Sequence, residues 1–220
     1  MVADILEKKA VRLYSLEEYF ELEEKAAFKS EYRNGQIIPV HLLPEVLTTK
    51  TAGSSSTHNR IKGRLYFLIC LHIEGKIEYE AFDSDQNVYI PKYKSNVYPD
   101  ICVVNEKAEM FENDKGLLNP ALVIEVLSDS TGNYDKRGKF HKYQSIPSFQ
   151  EYVLIEQDTP IIDILTKTED GWLVKTYIGL EEEVYFKSID ATFKMSDIYS
   201  KVKNLKDPQA VLEFNPDDEV

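Results

Sequence analysis

Pro120-Ala121-Leu122-Val123-Ile124-Glu125-Val126-Leu127 is a run of eight residues in which Glu125 alone is charged. Apolar side chains fill it without alternation, so a strand made from it must be covered on both faces. Such a strand belongs at the centre of a sheet. Ser128 to Asn133 reads as a loop, and a helix is expected over about 134–144. A buried strand feeding a helix points to an α/β domain, a mixed β-sheet flanked by helices.

The neighbouring segments extend this frame. Ser15-Leu16-Glu17-Glu18 is a capping box that starts a helix with Leu16, Tyr19, Phe20 and Leu22 on its apolar side. Asn34-Gly35, between Glu31-Tyr32-Arg33 and Gln36-Ile37-Ile38, signals a β-hairpin. Residues 51–57 read as a loop ending in an N-cap, followed by Ile61, Leu65, Leu68 and Ile69 at helical spacing. His58 shares the inward face of that helix at its first turn. Strands are expected at 77–82, 87–91 and 98–104, then a loop over 105–119. Runs at 150–156, 160–166, 172–178 and 184–189 predict a C-terminal β-meander, followed by a short helix near 195–203. The expected organisation is a flexible N-terminus (1–14), one domain (15–203) and an acidic, frayed tail (204–220).

The chain has 220 residues, 43% hydrophobic and 29% charged, which excludes wholesale disorder and suffices for a core without staples. Its net charge of −12 argues against coating a polyanion, though not against a local basic groove. Cys70 and Cys102 sit in apolar runs and read as buried free thiols of a reducing compartment. No Cys/His spacing suits a structural zinc. With no signal-like N-terminus and no apolar stretch approaching the ~20 residues of a spanning helix, the expectation is a cytoplasmic protein without membrane contact.

Glu125 is the residue most in need of an explanation. A buried carboxylate must be paired, metal-bound or protonated. The bland reading is a structural salt bridge; metal binding or catalysis is favoured over it. Asp100, after Pro99 and before Ile101-Cys102-Val103-Val104, is the natural companion. If 100–104 and 121–127 pair antiparallel with residue numbers summing to 225, Asp100 opposes Glu125 and Cys102 opposes Val123. Opposed Cβ atoms lie ~4.5–5.5 Å apart, and a divalent cation is the expected compensation for two carboxylates that close. Oxygen ligands select Mg²⁺ or Mn²⁺ over zinc. On its own, Asp100 reads better as a turn cap after proline. Asp135, Lys139 and Tyr143 share one helical face, from which Lys139 could reach Glu125 or simply pair with Asp135.

Pro99-Asp100, Glu125-Val126-Leu127-Ser128, Asp135…Lys139…Tyr143 and Glu151-Tyr152, in this order and spacing, resemble the Uma-two family of the PD-(D/E)XK superfamily. Glu17-Glu18-Tyr19, Glu31-Tyr32…Gly35, His58 and Gly171-Trp172 match as well, so the resemblance runs from about 15 to about 203. It implies a restriction-endonuclease-like fold and divalent-metal-dependent endonuclease chemistry on DNA. Asp100 and Glu125 would be the metal ligands, for Mg²⁺ or Mn²⁺. The superfamily's lysine, two residues after the Glu, is here Leu127, and Lys139, then Lys142, are the candidates to replace it. Glu31 and His58 would be accessory groups. The 134–142 helix with Arg60, Lys62 and Arg64 could supply part of a DNA-binding surface. A homodimer enters by analogy with nucleases that cut both strands. Two other readings stand beside this one: an inactive binding or assembly module on the same fold, and a metal-independent hydrolase, such as a glycosidase, using the paired carboxylates.

Overall fold

The computed structural model describes residues 12–39, 55–112, 114–127 and 138–209. Residues 1–11, the tail from 210, the Ser128–Asn133 loop, Asp135, Lys136 and Arg137 therefore lie outside the described residues.

Helix α1 (Leu16–Glu23) starts at the predicted capping box, with Glu18 N–H donating to Ser15 Oγ (3.1 Å) and Ser15 N–H to Glu18 Oε2 (2.8 Å). Tyr19 and Phe20 are its buried face, whereas Leu22 is exposed. The hairpin follows: β1 (Ser30–Arg33) and β2 (Gln36–Pro39) are joined by Asn34 (φ 53°) and Gly35 (φ 87°), both in the left-handed region that a tight hairpin turn needs. Helix α2 (Ser56–Ile73) begins just past its N-cap, Ser55, so it starts earlier than the loop reading of 51–57 placed it.

Strands β3 (Glu80–Asp83), β4 (Val88–Ile90), β5 (Ser95–Val97) and β6 (Ile101–Val104) precede the central strand β7 (Leu122–Leu127). A short helix α3 (Phe140–Tyr143) leads to β8 (Glu151–Glu156), β9 (Ile161–Thr168) and β10 (Gly171–Ile178). The chain closes with the hairpin β11 (Glu183–Phe186) and β12 (Ala191–Lys194) and helix α4 (Met195–Ile198). The large sheet has the order β10-β9-β8-β7-β6-β3. It is mixed, since β7 runs parallel to β8 while the other neighbours are antiparallel.

Four expectations need correction. The strand read over 98–104 is shorter, β6 (Ile101–Val104) in the large sheet, and β5 (Ser95–Val97), which the sequence reading left out, joins β4 and the hairpin in a second sheet, β2-β1-β5-β4. Pro99, which lacks an N–H and restricts the residue before it, stands at the break. The strand read over 184–189 stops at Phe186; a 3-10 turn (Lys187–Ile189) and Asp190 (φ 49°) reverse the chain into β12, which periodicity alone had left out. The final helix ends at Ile198, short of 203. Among the described residues of 134–144, the α-helix is confined to Phe140–Tyr143, entered by a wider turn at Gly138 and Lys139.

Burial explains the order of layers. Ile61, Leu65, Ile69 and Ile73 of α2 pack with Ile101, Val103, Leu122, Ile124 and Val126 on one face of the sheet. Cys102, Val123 and Leu127 face the other way, toward Tyr143, Phe149 and Tyr152. Every residue of β7 is buried, as the absence of alternation demanded. By that same alternation Glu125 points to the second face, where α3 lies.

Candidate active site

The β6–β7 register places the two carboxylates. Ile101 pairs with Ile124, Cys102 with Val123 and Val103 with Leu122, so the sum of 225 holds through β6, and Asp100, the residue just before that strand, bonds the backbone of Val126, the residue just after Glu125. Asp100 is itself pinned: Oδ2 accepts the Val126 N–H (2.8 Å) and Oδ1 bonds His58 Nε2 (2.8 Å). Ser55 caps α2 by accepting the His58 N–H (3.0 Å), which presents the ring from the first turn of the helix. Burial pushes the Asp100 carboxyl up, but the His58 bond and charge, the Val126 N–H and the Lys139 charge together hold it below the usual carboxylate range. Asp100 is thus an ionised group at neutral pH.

Glu125 is 3% exposed and accepts a bond from Lys139 Nζ (3.0 Å), itself 7% exposed. Lys139 Nζ also donates to the Tyr98 carbonyl (3.3 Å), in the segment that carries Asp100. Lys139, at the entry to α3, thus reaches Glu125, one of the two partners that its spacing allowed. Leu127 is buried among the apolar residues of that face, where no ammonium could be solvated.

The accessory residues lie beside this pair. Glu31 on β1 is 1% exposed and takes a bidentate bond from Arg33 Nε (2.9 Å) and Nη2 (2.7 Å). Lys142 donates to Ser95 Oγ (3.0 Å). Burial, then the positive charges of Arg33 and Lys139, lower the Lys142 ammonium, while Glu31 pulls it up, so these groups share one neighbourhood. Arg60, Lys62 and Arg64 do not converge there: Arg60 reaches Ser56 Oγ (3.5 Å), Lys62 Ser84 Oγ (2.8 Å) and Arg64 the Asp197 carbonyl (3.2 Å). Sequence reasoning missed Arg33, Ser95 and the Tyr98 carbonyl. The Arg33–Glu31 pair carried a signal, because residues two apart on a strand share a face.

Tyr143 completes the lining. It is fully buried, and its hydroxyl has no hydrogen-bond partner. Burial and then the Glu125 charge raise its pKa well above the usual value, so it is a neutral donor. Cys102 behaves alike, its thiol pushed up by burial and by Glu125 and Asp83, which makes it an unreactive core residue.

Among the described residues no group of three or more His, Cys, Asp or Glu is arranged to hold a metal ion. The carboxylate pair nevertheless fits a hard cation. Mg²⁺ is commonly held by one or two carboxylates and keeps several waters, and Asp100, held ionised, with Glu125 supplies hard oxygen donors of that kind. The orphan Tyr143 hydroxyl beside Glu125 is the kind of donor that ordered water would satisfy.

Residues 16–191 match a family model, Uma2, described as "Putative restriction endonuclease". The chain belongs to the Uma2 family. Two Synechocystis proteins are similar over most of their length. "Uncharacterized protein sll1609" is 36% identical over 177 residues, covering 80% of this chain and 93% of that protein. "Uncharacterized protein slr1290" is 33% identical over 186 residues, covering 84% and 90%. Among solved structures, "a putative nuclease belonging to DUF820 from Anabaena variabilis ATCC 29413" superposes with a TM-score of 0.64 at 20% identity, covering 84% of this chain and 97% of that one. At that identity the likeness is one of fold, and it agrees with the mixed α/β architecture expected for a Uma2 protein.

Proposed function

We propose that this Uma2 protein is a divalent-metal-dependent endonuclease that hydrolyses phosphodiester bonds of DNA. The observation that carries the proposal is the Asp100 carboxylate anchored to the Val126 N–H, next in chain to Glu125, with the Lys139 ammonium on Glu125. Family membership supports the nuclease chemistry, and the donor set supports Mg²⁺ or Mn²⁺. Asp100 and Glu125 would hold the cation, which would supply Lewis-acid polarisation of the phosphate and activation of water.

The protein's own groups do the rest. His58 and the Val126 N–H fix the Asp100 carboxylate in one rotamer and keep it ionised. Lys139 sits between Glu125 and the Tyr98 carbonyl, aimed at the same centre. Its ammonium is placed to stabilise charge developing on the non-bridging oxygens as water adds to phosphorus and the P–O bond to the leaving oxygen breaks. Glu31 keeps Arg33 paired and oriented at the edge of this neighbourhood.

The test is nicking of supercoiled plasmid with Mg²⁺ or Mn²⁺, with and without EDTA, alongside Asp100→Ala, Glu125→Ala and Lys139→Ala. The expected result is EDTA-sensitive nicking lost in both carboxylate variants and reduced by ~10²-fold or more in Lys139→Ala. Nicking that survives EDTA would favour the metal-independent hydrolase. No nicking, with no Mg²⁺ binding by calorimetry, would leave the inactive module.

A further inference from the structure

The charge of this chain is unevenly spread. Acidic residues number 38 of 220, yet neither 86–99 nor 138–150 contains an Asp or a Glu. These two stretches are distant in sequence and meet in space. Tyr93 Oη and His141 Nε2 are hydrogen-bonded (3.0 Å), Lys142 donates to Ser95 Oγ (3.0 Å), and Lys139 to the Tyr98 carbonyl (3.3 Å). Their junction borders the Asp100–Glu125 centre, because Lys139 belongs to both.

The exposed groups at this junction are cationic or aromatic. Lys92 and Lys94, in and after the 3-10 turn at Pro91–Tyr93, are exposed, as is His141; Tyr93 is half-buried. Lys92 lies over the Tyr93 ring, 5.7 Å from its centroid. Among the described residues no carboxylate pairs with Lys92 or Lys94. Lys94 has φ 42°, a backbone conformation that favours glycine, and nothing in its contacts explains a lysine there.

We infer that the junction of the 86–99 and 138–150 segments, with Lys92, Lys94, His141 and Tyr93 exposed, is the surface on which the phosphate backbone of the nucleic-acid substrate lies. This rests on the nuclease reading above and replaces the surface first sought at Arg60, Lys62 and Arg64. An acid-free basic strip lets a chain of net charge −12 accept a polyanion, since the acidic surface is screened beyond ~8 Å at physiological salt while direct contacts are not. Lysines and histidine contact phosphates without reading bases, and Tyr93 offers a stacking face for an unpaired base. Binding through such contacts releases counterions and falls steeply with salt.

The experiment measures fluorescence anisotropy of a labelled 25-mer DNA duplex from 25 to 200 mM NaCl, with EDTA present so that nothing is cut. Lys92→Glu/Lys94→Glu is compared with Lys175→Glu/Lys194→Glu, which changes net charge equally at exposed positions on β10 and β12. Lys92→Ala/Lys94→Gly serves as a second variant that relieves the φ at position 94. The expected result is at least tenfold weaker binding for both Lys92/Lys94 variants, a salt slope shallower by about two, and less than a threefold change for the control. Equal weakening in the control would mean a general field effect and overturn the inference. Wild-type binding and nicking unchanged in the Lys92/Lys94 variants would overturn it while leaving the nuclease reading intact. No DNA binding and no nicking by the wild type would overturn both.

Discussion

Glu151 is the second carboxylate buried in the large sheet, and the structure gives it the opposite role to Glu125. It is 0% exposed and has no cation on it. Four neutral donors hold it: Thr166 Oγ1 (3.2 Å) and the Lys187 N–H (3.1 Å) on Oε1, the Ser188 N–H (3.0 Å) and Ser188 Oγ (2.8 Å) on Oε2. The 3-10 turn between β11 and β12 is thereby tied to the start of β8. Glu151→Gln keeps the shape, but its single oxygen can serve one pair of donors, and its NH₂ then faces a backbone N–H. One buried donor without an acceptor costs about 1–3 kcal/mol. The remaining bonds weaken to neutral strength, and removing a buried charge offsets part of that loss. The net expectation is about 1–3 kcal/mol, which for a chain of this length lowers Tm by about 2–4 °C per kcal/mol. Glu151→Ala leaves both N–H groups bare and should cost about 2–6 kcal/mol. Thermal and urea unfolding give the stabilities, and nicking is assayed well below the lowered Tm. A glutamine variant that melts with the wild type would refute the ledger. One that is folded and inactive would refute the structural role.

Three further outcomes follow from the site. Asp100, with its carboxyl held low in the folded protein, contributes stability that is present above the unfolded carboxylate pKa, ~3.9, and is lost as pH falls through the lower folded value; the stability gap between wild type and Asp100→Asn, from urea titrations between pH 6 and 2.5, should narrow over that acid range. Tyr143→Phe removes a buried hydroxyl that has no partner, so its Tm should equal or exceed the wild type's, and a drop above ~1 kcal/mol in stability would show that the hydroxyl is satisfied after all. Leu127→Lys, which restores the superfamily's lysine position, should destabilise by ~3 kcal/mol or more, because the site is 2% exposed, and should not restore nicking to Lys139→Ala.

Much of this was legible from local pattern. The unalternating run around Glu125 required a strand covered on both faces, and antiparallel pairing across one loop required a constant sum, of which 225 was one choice. Lys139 was within reach because it lies in the first turns of the helix read over 134–144. What was not legible depended on which sheet a strand joins. Ser95-Asn96-Val97 is too short and too polar to announce a strand, and it is one because of its partners, β1 and β4, whereas the apolar Ile101–Val104 pairs with β3 and β7. The reversal at Asp190 was hidden because a left-handed residue other than glycine leaves little trace in sequence. Lys62 lies off the face that Arg60 and Arg64 share on α2, since helical positions two apart do not face each other, and the three reach Ser84, Ser56 and Asp197 respectively.

Three residues, Tyr98, Pro99 and Asp100, leave the small sheet and enter the large one. Glu125 is cast wholly into the large sheet, while Asp100 is mounted on the joint between the two. The joint is fastened on both sides: the Val126 N–H of β7 holds Asp100, and the Tyr98 hydroxyl bonds Glu23 of α1 (3.1 Å), so the seam between the sheets is riveted at its two ends. Lys92 and Lys94 lie in and after the turn between β4 and β5, so on the proposed function the surface that would hold the polyanion and the carboxylate that would meet the cation are consecutive links of one short stretch of chain, 92–100.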